Sequence, residues 1–203
     1  MTKVMILGAS GSIGRVVRNR FLNDTDFDLV TLSRHKITKL NNSRETSFVG
    51  DLFDTKLLTN AMRGVDVVFA SLSGDLPKMA SIVIDIMHIT NVKRLIFITS
   101  MGIYNEIPNH IGSSGNLFSN PMLKSYRVAA DVIETSNLNY TIIRPGWFDN
   151  GDNGSSSDYE ITKKGEPFGG HDVSRQSIAD LVVKIVDGQI KADNQNLGIN
   201  RPE

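Results

Sequence analysis

The chain contains no cysteine. That excludes disulfides, thiolate zinc sites and thiol nucleophiles, and it fits a reducing, cytoplasmic compartment. Net charge is missing as well, because 22 basic side chains balance 22 acidic ones. Without a basic excess there is no electrostatic footprint for nucleic acid or for an anionic membrane surface. Long apolar runs are also lacking. Val4-Met5-Ile6-Leu7, directly behind Met1-Thr2-Lys3, is too short for the core of a signal peptide, and nothing elsewhere approaches a membrane span. His35, His88 and His171 are scattered, with no metal-ligand spacing. What is present is a 203-residue chain, 40 % hydrophobic, whose length suits one domain with a full core.

Short apolar runs alternate with longer amphipathic ones. Val4 to Leu7, Leu29 to Leu32, the residues ending at Phe48-Val49, Val65 to Ala70, Leu95 to Ile98 and Tyr140 to Ile143 read as strands. Between them, Ile13, Val16, Val17 and Phe21, then Leu57, Leu58, Ala61 and Met62, then Met79, Ile82, Val83 and Ile86 recur at helical spacing. A further helix is expected to start at Pro121 with Asn120 as its cap, and a last one carries Ile178, Leu181, Val182 and Ile185 behind Ser174. Buried strands joined by helices imply a doubly wound parallel α/β sheet, of the Rossmann type, with right-handed crossovers and the order 3-2-1-4-5-6. No repeat or linker divides the chain, so residues 1–203 are expected to form one domain with a small C-terminal region beside the pocket. Two polar stretches, 105–120 and 149–158, come after C-terminal strand ends, where ligands bind in such sheets; each is a candidate lid, the second equally a solvated loop.

Behind the first strand stands Gly8-Ala9-Ser10-Gly11-Ser12-Ile13-Gly14. Glycines at this spacing allow a tight strand-to-helix turn and let a pyrophosphate approach backbone N–H groups at a helix start, where the dipole favours negative charge. The expected ligand is a dinucleotide held by Gly8, Ser10, Gly11, Ser12, Ile13 and Gly14. The second strand ends in Ser33-Arg34, where an NAD-binding chain places a carboxylate. A guanidinium there suits a 2′-phosphate, so NADP(H) is favoured over NAD(H); the plain alternative is a surface arginine. Lys36 and Lys39 add positive potential or are simply solvated. Asp51, with Leu52 after it, can accept from an adenine amino group, or cap the next helix, a role that Asp54 fits better.

Four segments together resemble an atypical short-chain dehydrogenase/reductase of the NmrA-like, NAD(P)H-binding kind. They are GASGSIG, Gly50-Asp51-Leu52, Ile98-Thr99-Ser100-Met101-Gly102 and Tyr140-Thr141-Ile142-Ile143-Arg144-Pro145-Gly146-Trp147, and Val173 to Ala179 resembles the family's last helix. The resemblance implies that Ser100 and Tyr126 are the serine and tyrosine that hydrogen-bond a substrate carbonyl. It implies also that Arg144-Pro145-Gly146 shapes the nicotinamide pocket. Trp147 and Phe148 either wall that pocket or pack, and Tyr104 and His110 either touch substrate or are ordinary loop residues. One residue departs from the pattern. Four positions after Tyr126, where catalytic relatives carry lysine, stands Ala130. The positions on Tyr126's helical face (Met122, Leu123, Ala129, Ala130 and Ile133) are all apolar, so no local cation replaces it.

An unassisted phenol, with a pKa of about 10, is phenolate in roughly one molecule in a thousand at neutral pH. As a general base it is handicapped by roughly 4 kcal/mol. Alcohol oxidation is therefore disfavoured, whereas reduction suffers less. The leading expectation is an NADPH-dependent reductase acting on a small or planar acceptor such as a quinone, flavin or carbonyl. The alternatives are a non-catalytic NADP(H) sensor that regulates a partner protein and, less favoured, a nucleotide-sugar epimerase or dehydratase.

Overall fold

Val4 and Ile6 point to one side of the first strand, Met5 and Leu7 to the other, and both sides are dry. A strand buried on both faces must lie inside a sheet covered by two helical layers. The computed structural model, which describes residues 1–41, 43–151 and 159–202, has that architecture. The strands are β1 (Lys3–Leu7), β2 (Asp28–Ser33), β3 (Glu45–Val49), β4 (Val67–Ala70), β5 (Arg94–Ile98), β6 (Asn139–Pro145), β7 (Trp147–Asp149), β8 (Glu160–Lys163), β9 (Asp172–Ser174) and β10 (Gln195–Asn200). The helices are α1 (Ser12–Asp24), α2 (Thr55–Met62), α3 (Leu76–Thr90), α4 (Lys124–Glu134) and α5 (Arg175–Val186). The main sheet runs β3-β2-β1-β4-β5-β6-β10-β8, all parallel except β8, and β7 with β9 forms a separate parallel pair.

The first six strands take the order that the sequence predicts. The period-2 alternation assigns the cores. Met5, Leu7, Val68, Leu95 and Phe97 meet α2, α3 and α4 on one side. Val4, Ile6, Phe69, Ile96 and Ile143 meet α1 and α5 on the other. Beyond β6 the sheet continues with strands from the C-terminal part of the chain: Gln195–Asn200 enters between β6 and the antiparallel edge strand β8.

Helix starts obey local chemistry. Asp54, Asp75 and Ser174 each accept a backbone N–H three residues on, from Leu57, Lys78 and Ser177. Asn120 does cap, accepting the Met122 N–H, but Pro121–Leu123 form only a single 3₁₀ turn and α4 begins at Lys124. The offset corrects one sequence expectation: Met122 does not share Tyr126's buried face and is 84 % exposed. Helix α1 begins without such a cap, directly after Gly11.

An ion pair ties the nucleotide end of the sheet together. Arg18 of α1 makes two charge-assisted bonds of 2.5 Å to the Glu45 carboxylate of β3, and its Nη2 reaches the Lys39 carbonyl. Glu45 also accepts the Asn41 N–H. The loop after β2 is thereby strapped to both neighbours. Removing one partner of a buried pair leaves an uncompensated charge. Glu45→Ala is therefore expected to lower the unfolding free energy by about 3–5 kcal/mol, read from urea denaturation, whereas Lys36→Ala on the same loop should leave it within about 0.5 kcal/mol.

Candidate active site

The C-terminal ends of β1, β2, β3 and β4 border one cleft of ≈ 210 Å³. Gly8, Ser10 and Gly11 form its floor, Ser33 and Arg34 one end, and Gly50, Asp51, Leu52 and Phe53 one wall; Ser71, Leu72, Ser73 and Met79 complete it. Glycine is obligatory at two places. Gly8 has φ +88° and its missing Cβ would overlap the Ser71 carbonyl oxygen; a Cβ on Gly14 would overlap the Gly8 carbonyl. The turn closes with the Gly11 N–H on the Gly8 oxygen at 2.9 Å. The bare first turn of α1 lies beside this floor and offers unpaired N–H donors.

The sequence-predicted residues divide between that cleft and its supports. Gly8, Ser10, Gly11, Ser33, Arg34, Asp51 and Leu52 border it. Ser12 is exposed at the helix start, whereas Ile13 and Gly14 are buried behind the turn. Pro145 stands apart at the end of β6, buried, its carbonyl accepting the Met101 N–H. The Ser33 hydroxyl donates to the His35 carbonyl at 2.6 Å and fixes the bend that presents Arg34. Among the described residues, no side chain pairs with the exposed Arg34. Asp51 is not the helix cap, a role that Asp54 fills; its Oδ1 accepts the Phe53 N–H.

Sequence reading missed Phe53, Ser71, Leu72, Ser73 and Met79. The signal for the serines was their position just past the end of a parallel strand. Phe53 is half-exposed at the cleft mouth, with the Lys78 ammonium 5.0 Å from its ring centre.

At the reactive end, Ser100 lies just past β5 and its hydroxyl donates to the Met101 carbonyl at 3.0 Å. Tyr126 packs half-buried against the core, and among the described residues its hydroxyl has no hydrogen-bond partner, Ser100 included. Ala130 is fully buried among α3 and β-sheet side chains. Arg127 is occupied elsewhere, bonded to Asp131 and lying 4.5 Å over the Tyr104 ring. Neither a cation nor a hydrogen-bond partner for Tyr126 is provided by its own helix among the described residues.

Tyr104 is not a free loop residue. Its hydroxyl donates to Glu134 and accepts from Asn196. Burial and the adjacent Glu134 carboxylate push its pKa up, so it stays a phenol. Burial works against ionised Glu134, but hydrogen bonds from Lys164 and Asn196 outweigh it and hold the carboxyl below the usual range. The 105–120 stretch is likewise well bonded: Asn116 both donates to and accepts from the Ile107 backbone, and the Asn105 side chain accepts the Phe118 N–H. His110 is exposed on it. Of the second candidate lid, residues 152–158 lie outside the described residues.

Arg144 is the hub beneath this end. Its side chain has no exposed surface; Nη1 bonds Glu106 and Nε donates to Asn196. Glu106 in turn accepts the Gly102 and Tyr104 N–H groups, fixing the loop after β5. The Tyr104 and Phe168 rings stand 5.5 and 5.4 Å from the guanidinium carbon. Above the hub, large apolar side chains face solvent: Phe118 is 92 % exposed and Trp147 64 %. Trp147 stacks on His171, and Phe148 lies under Arg175 at 4.7 Å, on the opposite side of β7 by strand alternation.

The arrangement of glycine floor, bare helix start and strand-end cleft is matched over residues 8–189 by the model of the NAD(P)H-binding family. The chain belongs to that family. Among curated proteins none matches the sequence. Among solved structures, a Rossmann-fold NAD(P)-binding family protein from Shigella flexneri is 40 % identical, with TM-score 0.84 over 100 % of this chain and 94 % of that one. A wide-type short-chain dehydrogenase/reductase from Veillonella parvula in complex with NADP shares the fold at 24 % identity, with TM-score 0.88 over 99 % and 95 %. An anaerobillin reductase from Escherichia coli O157:H7 shares it at 21 % identity, with TM-score 0.82 over 100 % and 98 %. The family placement and the oxidoreductase-like fold agree with the sequence resemblance.

Two substitutions test the reactive end. Ala130→Lys should not recreate a Tyr-Lys pair; a charge forced into this dry site is expected to lower the melting temperature by several degrees, and a variant as stable as the parent would contradict the packing. Glu106→Ala, which strands the Arg144 guanidinium, should cost about 3–5 kcal/mol in chemical denaturation.

Proposed function

We propose that this NAD(P)H-binding protein is an NADPH-dependent reductase of a planar, largely apolar acceptor. The observation that carries the reading is Arg34. It ends β2 inside the cleft, unpaired by any described side chain, where a 2′-phosphate would meet it. In this reading the N–H groups of Ser10 and Ser12 hold the pyrophosphate, with Gly11, Ile13 and Gly14 fixing the turn. Asp51 accepts from the adenine amino group while Leu52, Leu72 and Met79 wall the base. Pro145 and Ser100 border the nicotinamide. A bound reduced dinucleotide supplies the hydride. The chain's own part is to exclude water with the Trp147 and Phe118 rim and to orient an acceptor over the end of β5. The NADP-bound and anaerobillin-reducing relatives support cofactor and acceptor class by analogy.

Reduction fits the site better than alcohol oxidation. Tyr126 has no cation to stabilise a phenolate, whereas hydride transfer to a quinone, flavin or similar ring leaves an anion that needs little help. One observation favours a second reading. With Ala130 in the core and Tyr126 uncoupled from Ser100, the site suits a nucleotide sensor that captures a partner protein without turnover.

Two measurements separate these readings. NADPH consumption is monitored with quinones, flavins and small aldehydes, with Tyr126→Phe alongside. Turnover with a planar acceptor, reduced less than about threefold by the substitution, is expected; tight NADPH binding with no consumption by any acceptor favours the sensor. Arg34→Glu should weaken NADPH binding about 10–100-fold, the worth of a lost charge-assisted contact, and leave NADH binding nearly unchanged. An equal loss for both would remove Arg34 from phosphate recognition.

A further inference from the structure

The reading as a reductase leaves a proton unassigned. Tyr126 lacks a cation, and the Ser100 hydroxyl hydrogen is spent on the Met101 carbonyl. A different donor stands immediately before β9, against a ring of β7. His171 Nδ1 lies 2.5 Å from Asp172 Oδ1. A carboxylate only accepts, so Nδ1 carries the hydrogen and Nε2 is left as the outward nitrogen. The imidazole is 36 % exposed and stacks on Trp147 with ring centres 5.3 Å apart.

The backbone under this histidine is held tightly. The Trp147 N–H donates to the His171 carbonyl at 2.9 Å. A Cβ on Gly146 would overlap that same carbonyl, one on Gly170 would overlap the Arg201 carbonyl, and one on Gly169 would overlap the Glu160 carboxylate. Three close approaches within one short segment fix where the imidazole stands, and a positioned acid needs that rigidity. Its location is also suitable. Trp147 is two residues beyond Pro145, whose carbonyl is bonded to Met101 next to Ser100, so the ring pair rises from the same strand end that borders the proposed nicotinamide site.

We propose that His171, oriented by Asp172 and backed by Trp147, is the proton donor to the acceptor. The inference rests on the reductase reading. In the step, the acceptor gains a hydride from the reduced nicotinamide at one atom and a proton from His171 at its oxygen or nitrogen. The Nε2–H bond breaks as the new O–H or N–H bond forms, the oxidised dinucleotide is the by-product, and the neutral imidazole takes a proton back from water. Trp147 serves as the flat wall on which a planar acceptor lies beside the imidazole. His171 touches the acceptor; Asp172 is a positioning residue.

Trp147 is the sole tryptophan, which gives a readout independent of turnover. A protonated imidazole stacked on indole quenches its emission. His171→Gln should therefore raise the emission of the protein. With an aldehyde, whose reduced form demands a proton, His171→Gln is expected to lose about 10²–10⁴-fold in kcat at unchanged NADPH affinity, and much less with a flavin. Asp172→Asn keeps the imidazole beside the indole but weakens its orientation, so the emission should stay low while kcat with the aldehyde falls about tenfold; this variant also guards against a folding defect in the first. Aldehyde turnover unaltered in His171→Gln would overturn the proposal and leave the reductase standing. Emission unchanged in His171→Gln would overturn the stacked geometry. NADPH bound but never consumed would overturn the reductase and this proposal together.

Discussion

A guanidinium with no exposed surface is tolerated only where its charge and its donors are met inside the protein. Arg144 satisfies that condition by drawing in elements that have little else in common. Glu106 brings the loop after β5, Asn196 brings β10, Tyr104 and Phe168 close over the two sides, and Asn196 continues to Glu134 on α4. The Arg144 Nη2 has no hydrogen bond among the described residues, and the negative faces of the two rings, 5.5 and 5.4 Å from the guanidinium carbon, offset part of what is missing. Neutral side chains of similar volume would pack here at less electrostatic cost. A charge specifies a single arrangement, and here that arrangement sets the shape of the mouth at β5 and β6.

The nucleotide half of this molecule is governed by backbone geometry, which sequence records openly. Gly8 and Gly14 are forced by carbonyl contacts, and the strand order follows from alternating burial such as that of Val4 and Met5. All could be read from spacing. The other half is governed by side-chain partnership, which spacing hides. Asn196 and Asn200 are buried in a strand that reads as polar, because Arg144 and Glu160 are waiting for them. Asp172-Val173-Ser174 is too short to announce a strand, and Glu160-Ile161-Thr162-Lys163 has the mixed pattern of a charged edge. The same cause hid Tyr104, whose loop position suggested freedom and whose hydroxyl is fully committed.

Ala130, four residues after Tyr126, belongs to the packing of α4. Its small side chain lies in the core that α4 shares with α3, with no exposed surface. The cleft lies at the ends of β1 to β4, whereas the exposed Trp147, stacked on an imidazole, stands on β7 and the exposed Phe118 on the loop between β5 and α4.

Strand β10 lies between β6 and β8, although it comes after both in the chain. Residues 139–163 therefore cannot complete their ladder until residues 195–200 arrive. During synthesis from the N-terminus, β1 to β4 have all their sheet partners once β5 is made. Arg144 meanwhile waits for Asn196 as a partner made some fifty residues later. The growing chain acquires the glycine floor and the Arg34 cleft first and the Arg144 hub last. A ribosome-bound intermediate of this protein would thus present a nucleotide cradle long before the far side of its sheet could close.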